Sequence, residues 1–368
     1  MLRKIAFIAL LIGCISGAAF AQETTPQFCG TLSQDDCAIL TQSQQAMAAL
    51  DSASFDAKID IAVTNIPNVK APVTIAITGS GSYSGLNKLR TDMTAATTNT
   101  SQLLVALLTD LNADVTITID LPPETQEMLG VAISDSHLTF QERLVDGIGY
   151  LNMDTLQTLM RNSALKGWYG LDLANFVASA IRQNPDMFNN SMSGMNTGSM
   201  QDYQGMFSDS AFINRFLQIE RTDDRSRSSA TFDITLNMGA LMGSHEFQML
   251  MREQMQRQNA SMTDAEIDQA LTISSQMFKG MDITLSENID TEDGYLHSIK
   301  GSFLFDASGM MATMSESGSD STAAMPAPQI SLDFTYSYSD FNSAPAISAP
   351  PNAVIIPYQS LLRPSVST

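Results

Sequence analysis

Few residues of this chain have the type and spacing that catalysis or metal binding requires. The three histidines, His137, His245 and His297, are far apart and form no HxH or HExxH pattern, the kind of spacing that places two imidazoles on one metal ion. The chain also lacks a GxSxG nucleophile turn, a P-loop and a GxGxxG loop after a strand. These absences argue against the common hydrolase, NTPase and dinucleotide-binding classes. We therefore expect no catalytic residues, no metal and no cofactor.

Carboxylates are plentiful, but their spacing singles out no catalytic pair. The stretch DTEDG, 290–294, resembles part of a calcium loop, yet the later Glu that would bind the ion with both oxygens is missing at the required offset. Its Asp-Gly step is typical of a hairpin turn instead. In a chain with 39 acidic residues, a hydrolase acting on envelope polymers remains an alternative without named residues.

Methionine is the most unusual feature of the composition. Of 23 methionines, five lie between 187 and 206 and four between 242 and 255. Thioethers are soft ligands for Cu(I), so an exported copper chaperone is one interpretation. Methionine is also flexible and apolar and lines surfaces that accept irregular hydrophobic partners. We favour this apolar role over metal binding.

The N-terminus predicts export. Arg3 and Lys4 precede an apolar run, and Ala19-Phe20-Ala21 forms a cleavage site, so residues 1–21 are predicted to be a signal peptide. Alternatively, Leu11-Ile12-Gly13-Cys14 fits a lipoprotein box, which would leave Cys14 lipidated and the protein anchored at a membrane surface. Both alternatives leave Cys29 and Cys37 as an even pair in an oxidising compartment, where we predict a disulfide.

Charge and length narrow the class further. The formal charge of the chain is −20, and removal of Arg3 and Lys4 with the signal would make it −22. Such an acidic protein repels nucleic acid and anionic membranes, and we expect no nucleic-acid partner. No apolar run after the signal approaches the length that a bilayer requires. Residues 22–368 are predicted to form a single domain.

Strand patterns dominate this domain. Apolar and polar residues alternate over several segments, as in FDAKIDIAVT, 55–64. One apolar and one polar face is typical of an antiparallel sheet with one side facing water. The Asp146-Gly147 and Asp293-Gly294 steps predict hairpins. The other alternating segments are 73–77, 115–119, 232–236, 299–305 and 330–336.

Helices are fewer and are marked by their caps. Ser33 with Asp36, and Thr263 with Glu266, have the spacing of N-terminal capping residues. Asp172 is a further N-cap, for a helix that ends before Pro185. We predict Met-rich helical insertions near 175–220 and 243–280 and a flexible loop at 306–329. No internal repeat is evident from the sequence.

The sheet pattern carries a functional prediction. Several amphipathic strands must hide one continuous apolar face, and helices with one apolar stripe are natural covers for it. A curved sheet closed by helices can keep an apolar cavity. The predicted cavity wall is Ile59, Ile61, Ile75, Ile77, Ile117, Phe232, Ile234, Phe303 and Phe334. The predicted lid is Phe247, Leu250, Met251 and Phe278.

The order of these elements resembles a known family. The segments QQAMAALDSASFDAKIDIAV, VDGIGYLNMDTL, LKGWYGLDL and QISLDFTYSYSDFNSAPAISAPPNAVIIP look like those of the LolA-like carriers, especially the LppX/LprG branch. The resemblance implies an α+β fold, a curved antiparallel half-barrel whose concave apolar face is covered by helices. It implies binding of lipid or lipoprotein acyl chains, and it carries no catalytic residues.

The sequence thus predicts an exported, non-enzymatic protein of the cell envelope that binds a hydrophobic ligand. A cell-surface scaffold or sensor with a filled core is the alternative from a different class. Trp168, the only tryptophan, is predicted to be a fixed aromatic at the edge of the sheet rather than a catalytic or sugar-stacking residue.

Overall fold

The computed structural model describes the greater part of the predicted domain. The predicted signal peptide with Cys14, the methionines between 187 and 206, and most of the predicted loop at 306–329 lie outside the described residues. The described residues are 29–66, 72–95, 100–128, 136–160, 164, 166–183, 210–225, 228–259, 261–279, 281–306 and 327–359.

The fold is α+β and is built on one open sheet of twelve strands. The strand order is β12-β6-β5-β4-β3-β2-β1-β11-β10-β9-β8-β7. All neighbours are antiparallel except β12 and β6, which are parallel. The strands are β1 Ser52–Thr64, β2 Val73–Ser84, β3 Asn112–Asp120, β4 His137–Val145, β5 Ile148–Asn152, β6 Trp168–Asp172, β7 Leu217–Arg221, β8 Ser229–Asn237, β9 Asp282–Asp290, β10 Leu296–Asp306, β11 Gln329–Ser339 and β12 Val354–Ile356.

Helices connect the strands and precede the first one. Three of them lie between β8 and β9, within the predicted 243–280 insertion or next to it. The described helices are α1 Gln34–Ala48, α2 Leu86–Ala95, α3 Thr100–Asp110, α4 Pro123–Met128, α5 Asp154–Met160, α6 Leu173–Gln183, α7 Ser210–Ile213, α8 Met238–Gly243, α9 His245–Gln258 and α10 Asp264–Met277.

The predicted alternation sets the two faces of the sheet. Phe55, Ile59 and Ile61 point to one face of β1, which the cross-strand register extends to Ile77 on β2 and Phe334 on β11. We call this the apolar face. The opposite face is mainly polar, and there the Thr118 and Thr139 hydroxyls lie 3.1 Å apart on neighbouring strands. Its apolar part is at β4 and β5, where Val145 and Tyr150 are buried. The prediction of an antiparallel sheet with one apolar face is confirmed, apart from the short parallel β12.

The predicted turn and cap residues act as expected. Asp146 and Gly147 join β4 to β5 with φ of 50° and 82°, the backbone that a two-residue hairpin needs. The Ser33 hydroxyl accepts a hydrogen bond from the Asp36 amide and donates one to its carboxylate. Thr263 and Glu266 form a complete capping box, and Asp172 accepts a bond from the Asn175 amide.

The packed core is concentrated toward one end of the sheet. The largest cluster joins the first residues of β1 and β3, the last residues of β2 and β11, and helix α2, with Leu50, Ala53 and Phe55 at its centre. A second cluster packs Leu40 of α1 against Phe232 on β8 and its neighbours. A third gathers Phe212, Ile213, Phe216 and Leu241 beside β7. The helices therefore cover the apolar face mainly around these clusters.

A buried ionic network fixes α1 to the β7 edge. Asp36, 3% exposed, accepts hydrogen bonds from Arg221 at 2.9 Å and Arg225 at 2.7 Å. Arg221 also donates hydrogen bonds to both carboxylate oxygens of Asp223, at 2.7 and 2.9 Å. The predicted disulfide joins Cys29 to Cys37 with Cα atoms 5.4 Å apart, and so ties the entry of α1 to its first turn.

The chain after β11 runs back over the polar face to the far edge of the sheet. Asn342 accepts a hydrogen bond from the Asp51 amide, Arg143 donates to the Ser348 carbonyl, and β12 then pairs with β6. Arg143 lies on the polar face of β4, so its contact with Ser348 is made from the side opposite the apolar face. Phe341, earlier in the segment, packs against the first cluster.

Candidate ligand-binding face

Part of the apolar face lies outside all three packed clusters. Ile59 pairs with Ile77 and with Phe334, and Ile61 pairs with Ile75 and with Leu332. Leu332 in turn pairs with Phe303 on β10. These side chains are half-buried. We call this set, contiguous over the neighbouring strands β2, β1, β11 and β10, the apolar strip: Ile59, Ile61, Ile75, Ile77, Phe303, Leu332 and Phe334.

One aromatic ring of the strip lies over a glycine of the neighbouring strand. The Phe334 ring lies over Gly301 of the neighbouring strand, where an added Cβ would come within 2.3 Å of it. The lack of a side chain at Gly301 thus leaves room for the ring above it. Half-exposed Ile and Phe side chains retain unfavourable contact with water, at roughly 25 cal/mol for each Å² of apolar surface. An apolar molecule lying on the strip would remove that contact.

Six of the nine predicted wall residues belong to the strip. The other three lie in or beside packed clusters. Phe232 is 0% exposed within the second cluster, so its side chain has no surface to offer a ligand. Ile117 and Ile234 are half-buried against the first and second clusters, at the margins of the strip.

The predicted lid residues lie on the helices between β8 and β9. Phe247 of α9 packs against the third cluster. Leu250 and Met251 are half-buried on the same helix, and Phe278 is the C-cap of α10. The three helices α8, α9 and α10 contact one another, and α8 also contacts β9. A lid role for these four residues stays a prediction.

Two glutamates that the sequence did not predict as site residues lie on the apolar face. Glu142 on β4 lies opposite Val115 and Leu151, and Glu287 on β9 lies opposite Phe232 and Ile299. Burial raises the pKa of Glu142 to about 7 and also raises the pKa of Glu287. Both are half-buried. Within the described residues, neither has a hydrogen-bond or ion-pair partner.

The two glutamates occupy equivalent positions. In the β3–β4 pair, Val115, Ile117 and Ile119 lie opposite Glu142, Phe140 and Leu138. In the β8–β9 pair, Phe232, Ile234 and Leu236 lie opposite Glu287, Leu285 and Ile283 in the same register. A short repeat therefore becomes visible once the strands are aligned. In the sequence, each of these strands has a Glu at a position where the alternation calls for an apolar residue.

The apolar face has no free cation among the described strands. Alternation and register place three of the Asp, Glu, Lys and Arg residues of these strands on this face: Glu142, Glu287 and Arg221. Arg221 is 10% exposed and bound to Asp36 and Asp223. Hydrogen bonding to Asp223 raises the pKa of Arg221 further. The face is thus apolar with two uncompensated carboxyl groups.

Trp168 lies on the opposite, polar face of the sheet. Its strand, β6, is next to the edge strand β12. The Arg143 guanidinium carbon lies 5.4 Å from the ring centroid, and Arg143 also binds Asp114 at 3.0 Å. The tryptophan is therefore held by a cation–π contact and does not face the apolar strip.

Other ionisable clusters have structural partners. Asp290, Asp293 and His297 lie close enough together to hold a metal ion, but Asp290 accepts the Glu292 amide at 2.7 Å and Asp293 accepts the Tyr295 amide at 2.7 Å. These bonds build the predicted hairpin. The buried Asp110 binds Lys88 at 2.7 Å and raises the pKa of the exposed Asp92, an arrangement at the α2–α3 surface rather than in a polar cleft.

No protein-family model matches the chain, and no curated protein is significantly similar to it. Within the described residues, no helix has the length and apolar character needed to cross a membrane.

Proposed function

We propose that the protein binds an apolar ligand, an acyl chain of a lipid or lipoprotein, on the apolar strip, and that it acts as a non-enzymatic carrier of the cell envelope. The observation that carries this proposal is the strip itself. It is contiguous, lies on the face that the helices partly cover, and belongs to none of the packed clusters of the described residues.

Several features support this function. A chain lying along the strip gains roughly 0.8 kcal/mol for each CH₂ removed from water, so a fatty acyl chain supplies enough energy for binding without polar contacts. The acidic exterior keeps such a carrier soluble. In this proposal, the helices between β8 and β9 act as the lid over the bound chain.

The proposal also includes a family for the protein and its location in the cell. The large antiparallel sheet and its helices support a LolA-like half-barrel, and this assignment is part of the proposal. Export through residues 1–21 is supported by the Cys29–Cys37 disulfide, because disulfides persist in oxidising compartments. Lipidation at Cys14 is the anchored alternative.

Two neighbouring residues of β10 provide a matched test. Phe303 belongs to the strip, whereas Leu304 is 52% exposed on the opposite face. We expect the protein to take up a solvatochromic apolar dye saturably, and Phe303→Asp to weaken that uptake roughly tenfold or more, because a charge beside a bound chain must be desolvated. Leu304→Asp is expected to leave the affinity unchanged.

The outcomes separate binding from folding. Circular dichroism and thermal melting of both variants establish that each is folded before the titration is compared. Absence of saturable uptake by the unmodified protein would favour a scaffold or sensor with a filled core. Equal losses in the two variants would place the dye elsewhere on the molecule.

A further inference from the structure

We propose that Glu142 and Glu287 select the head group of the ligand, favouring amphiphiles that donate hydrogen bonds and carry no negative charge over anionic amphiphiles of the same chain length. The inference rests on the proposed function and names the ligand class for the same site.

Both carboxyl groups lie on the same face as the apolar strip, beyond its margins and opposite Val115 and Phe232. On one side, Glu142 is two residues from Phe140, which pairs with Ile117. On the other, Glu287 is two residues from Leu285, whose side chain lies against Gly301 beside Phe334. A ligand chain on the strip therefore has a carboxyl group toward each side of the sheet.

The two carboxyl groups lie at equivalent positions, and neither forms a hydrogen bond or an ion pair with a described residue. Each stands where the alternation of its strand otherwise places Leu, Ile or Phe. A polar group in an apolar setting costs free energy unless it gains a hydrogen bond, and no described residue supplies one. Burial also raises the pKa of both groups, so a ligand that donates a hydrogen bond compensates a cost already present in the fold.

Charge decides which head groups fit. A protonated carboxyl accepts and donates hydrogen bonds, and an ionised one accepts them or pairs with a cation. Neither form compensates a sulfate or phosphate as a cation would. The one described basic strand residue on this face, Arg221, is already bound by Asp36 and Asp223. Among the described strands, an anionic head group therefore meets two carboxyl groups and no unpaired guanidinium on this face.

Three amphiphiles with a twelve-carbon chain test the selection: monolauroylglycerol with free hydroxyls, dodecyltrimethylammonium with a fixed positive charge, and dodecyl sulfate with a fixed negative charge. Each competes with the bound apolar dye below its micelle concentration. We expect the hydroxyl-bearing compound to displace the dye at least about tenfold more effectively than the sulfate, with the cation also ahead of the sulfate. The Glu142→Gln/Glu287→Gln double variant should lose most of this difference, chiefly by binding the sulfate better.

A second double variant controls for overall charge. Glu220→Gln/Glu292→Gln removes the same two charges from exposed positions, and we expect it to keep the selectivity of the unmodified protein. Equal displacement by the three compounds, or equal changes in the two double variants, would overturn the inference while the dye still binds. If the dye does not bind at all, the proposed function itself fails.

Discussion

Glu142 shows how a single residue connects stability to the site. Its pKa in the folded protein, about 7, lies above the ordinary value of 4.5 because burial disfavours the charged form. As pH rises, the unfolded chain ionises first. The group therefore reduces stability progressively between about pH 4.5 and 7, and the reduction is constant above that window.

Glu142→Gln should remove this pH-dependent cost. We expect the variant to be more stable than the unmodified protein by roughly 2 kcal/mol at pH 8 and to be nearly equal to it at pH 4. Urea denaturation at the two pH values measures the difference, with the exposed Glu220→Gln as control. A gain of the same size at both pH values would show that Glu142 is not desolvated in the folded state.

The sequence predicts which residues share the apolar face, but not how deeply each of them is buried. The alternation of β1, β2, β10 and β11 placed six residues of the apolar strip on one face, as the register shows. The same pattern could not separate Phe232, which is packed, from Phe303, which is half-exposed, because burial depends on which helix lies above each strand. Glu142 and Glu287 were missed because a lone Glu at a position where the alternation expects an apolar residue ordinarily marks the end of a strand or a wrongly assigned alternation.

At the scale of elements, α1 is fixed to β7 by charge as well as by packing. Burial alone would raise the pKa of Asp36, but hydrogen bonds from Ser33 and Arg221, with the charges of Arg225 and Arg221, hold it below the ordinary 3.8. Hydrogen bonding to Arg221 likewise holds the pKa of Asp223 well below its usual range. The stabilisation from both acids is present above the ordinary pKa and is lost as pH falls through the folded-state pKa.

Asp36→Ala tests this connection against its exposed neighbour Asp35. We expect a loss of about 3 kcal/mol at pH 7 for Asp36→Ala, because Arg221 would keep only one of its two buried partners. The loss for Asp35→Ala should stay below about 0.5 kcal/mol. Urea denaturation followed by circular dichroism gives both values, and similar losses for the two variants would mean that the network does not hold α1.

Helix ends and turns could be predicted from the sequence where neighbouring residues alone determine them. The caps at Ser33 and Thr263 and the Asp146-Gly147 turn needed no tertiary information. Short strands such as β7, and β12 with its parallel pairing, depend on where the rest of the sheet offers an edge. Helices α2 and α3 were missed because their sequence carries no capping pattern as clear as that of α10.

At the scale of the whole molecule, the fold divides one large face into a packed part and a half-exposed part. The clusters around α1, α2 and α7 supply the stability of a folded domain. The strip lies outside these clusters on the same face and is half-buried, with a carboxyl group toward each side. This division allows one sheet to support a stable core and a binding surface at once.

The central claim is that the apolar strip carries an acyl chain, and the most direct measurement is mass spectrometry of organic extracts from the purified protein. We predict a co-purified lipid in amounts close to one per protein molecule, retained by Leu304→Asp and depleted in folded Phe303→Asp. Extracts of the unmodified protein that contain no lipid above the solvent blank, together with no saturable uptake of an apolar dye, would contradict the account.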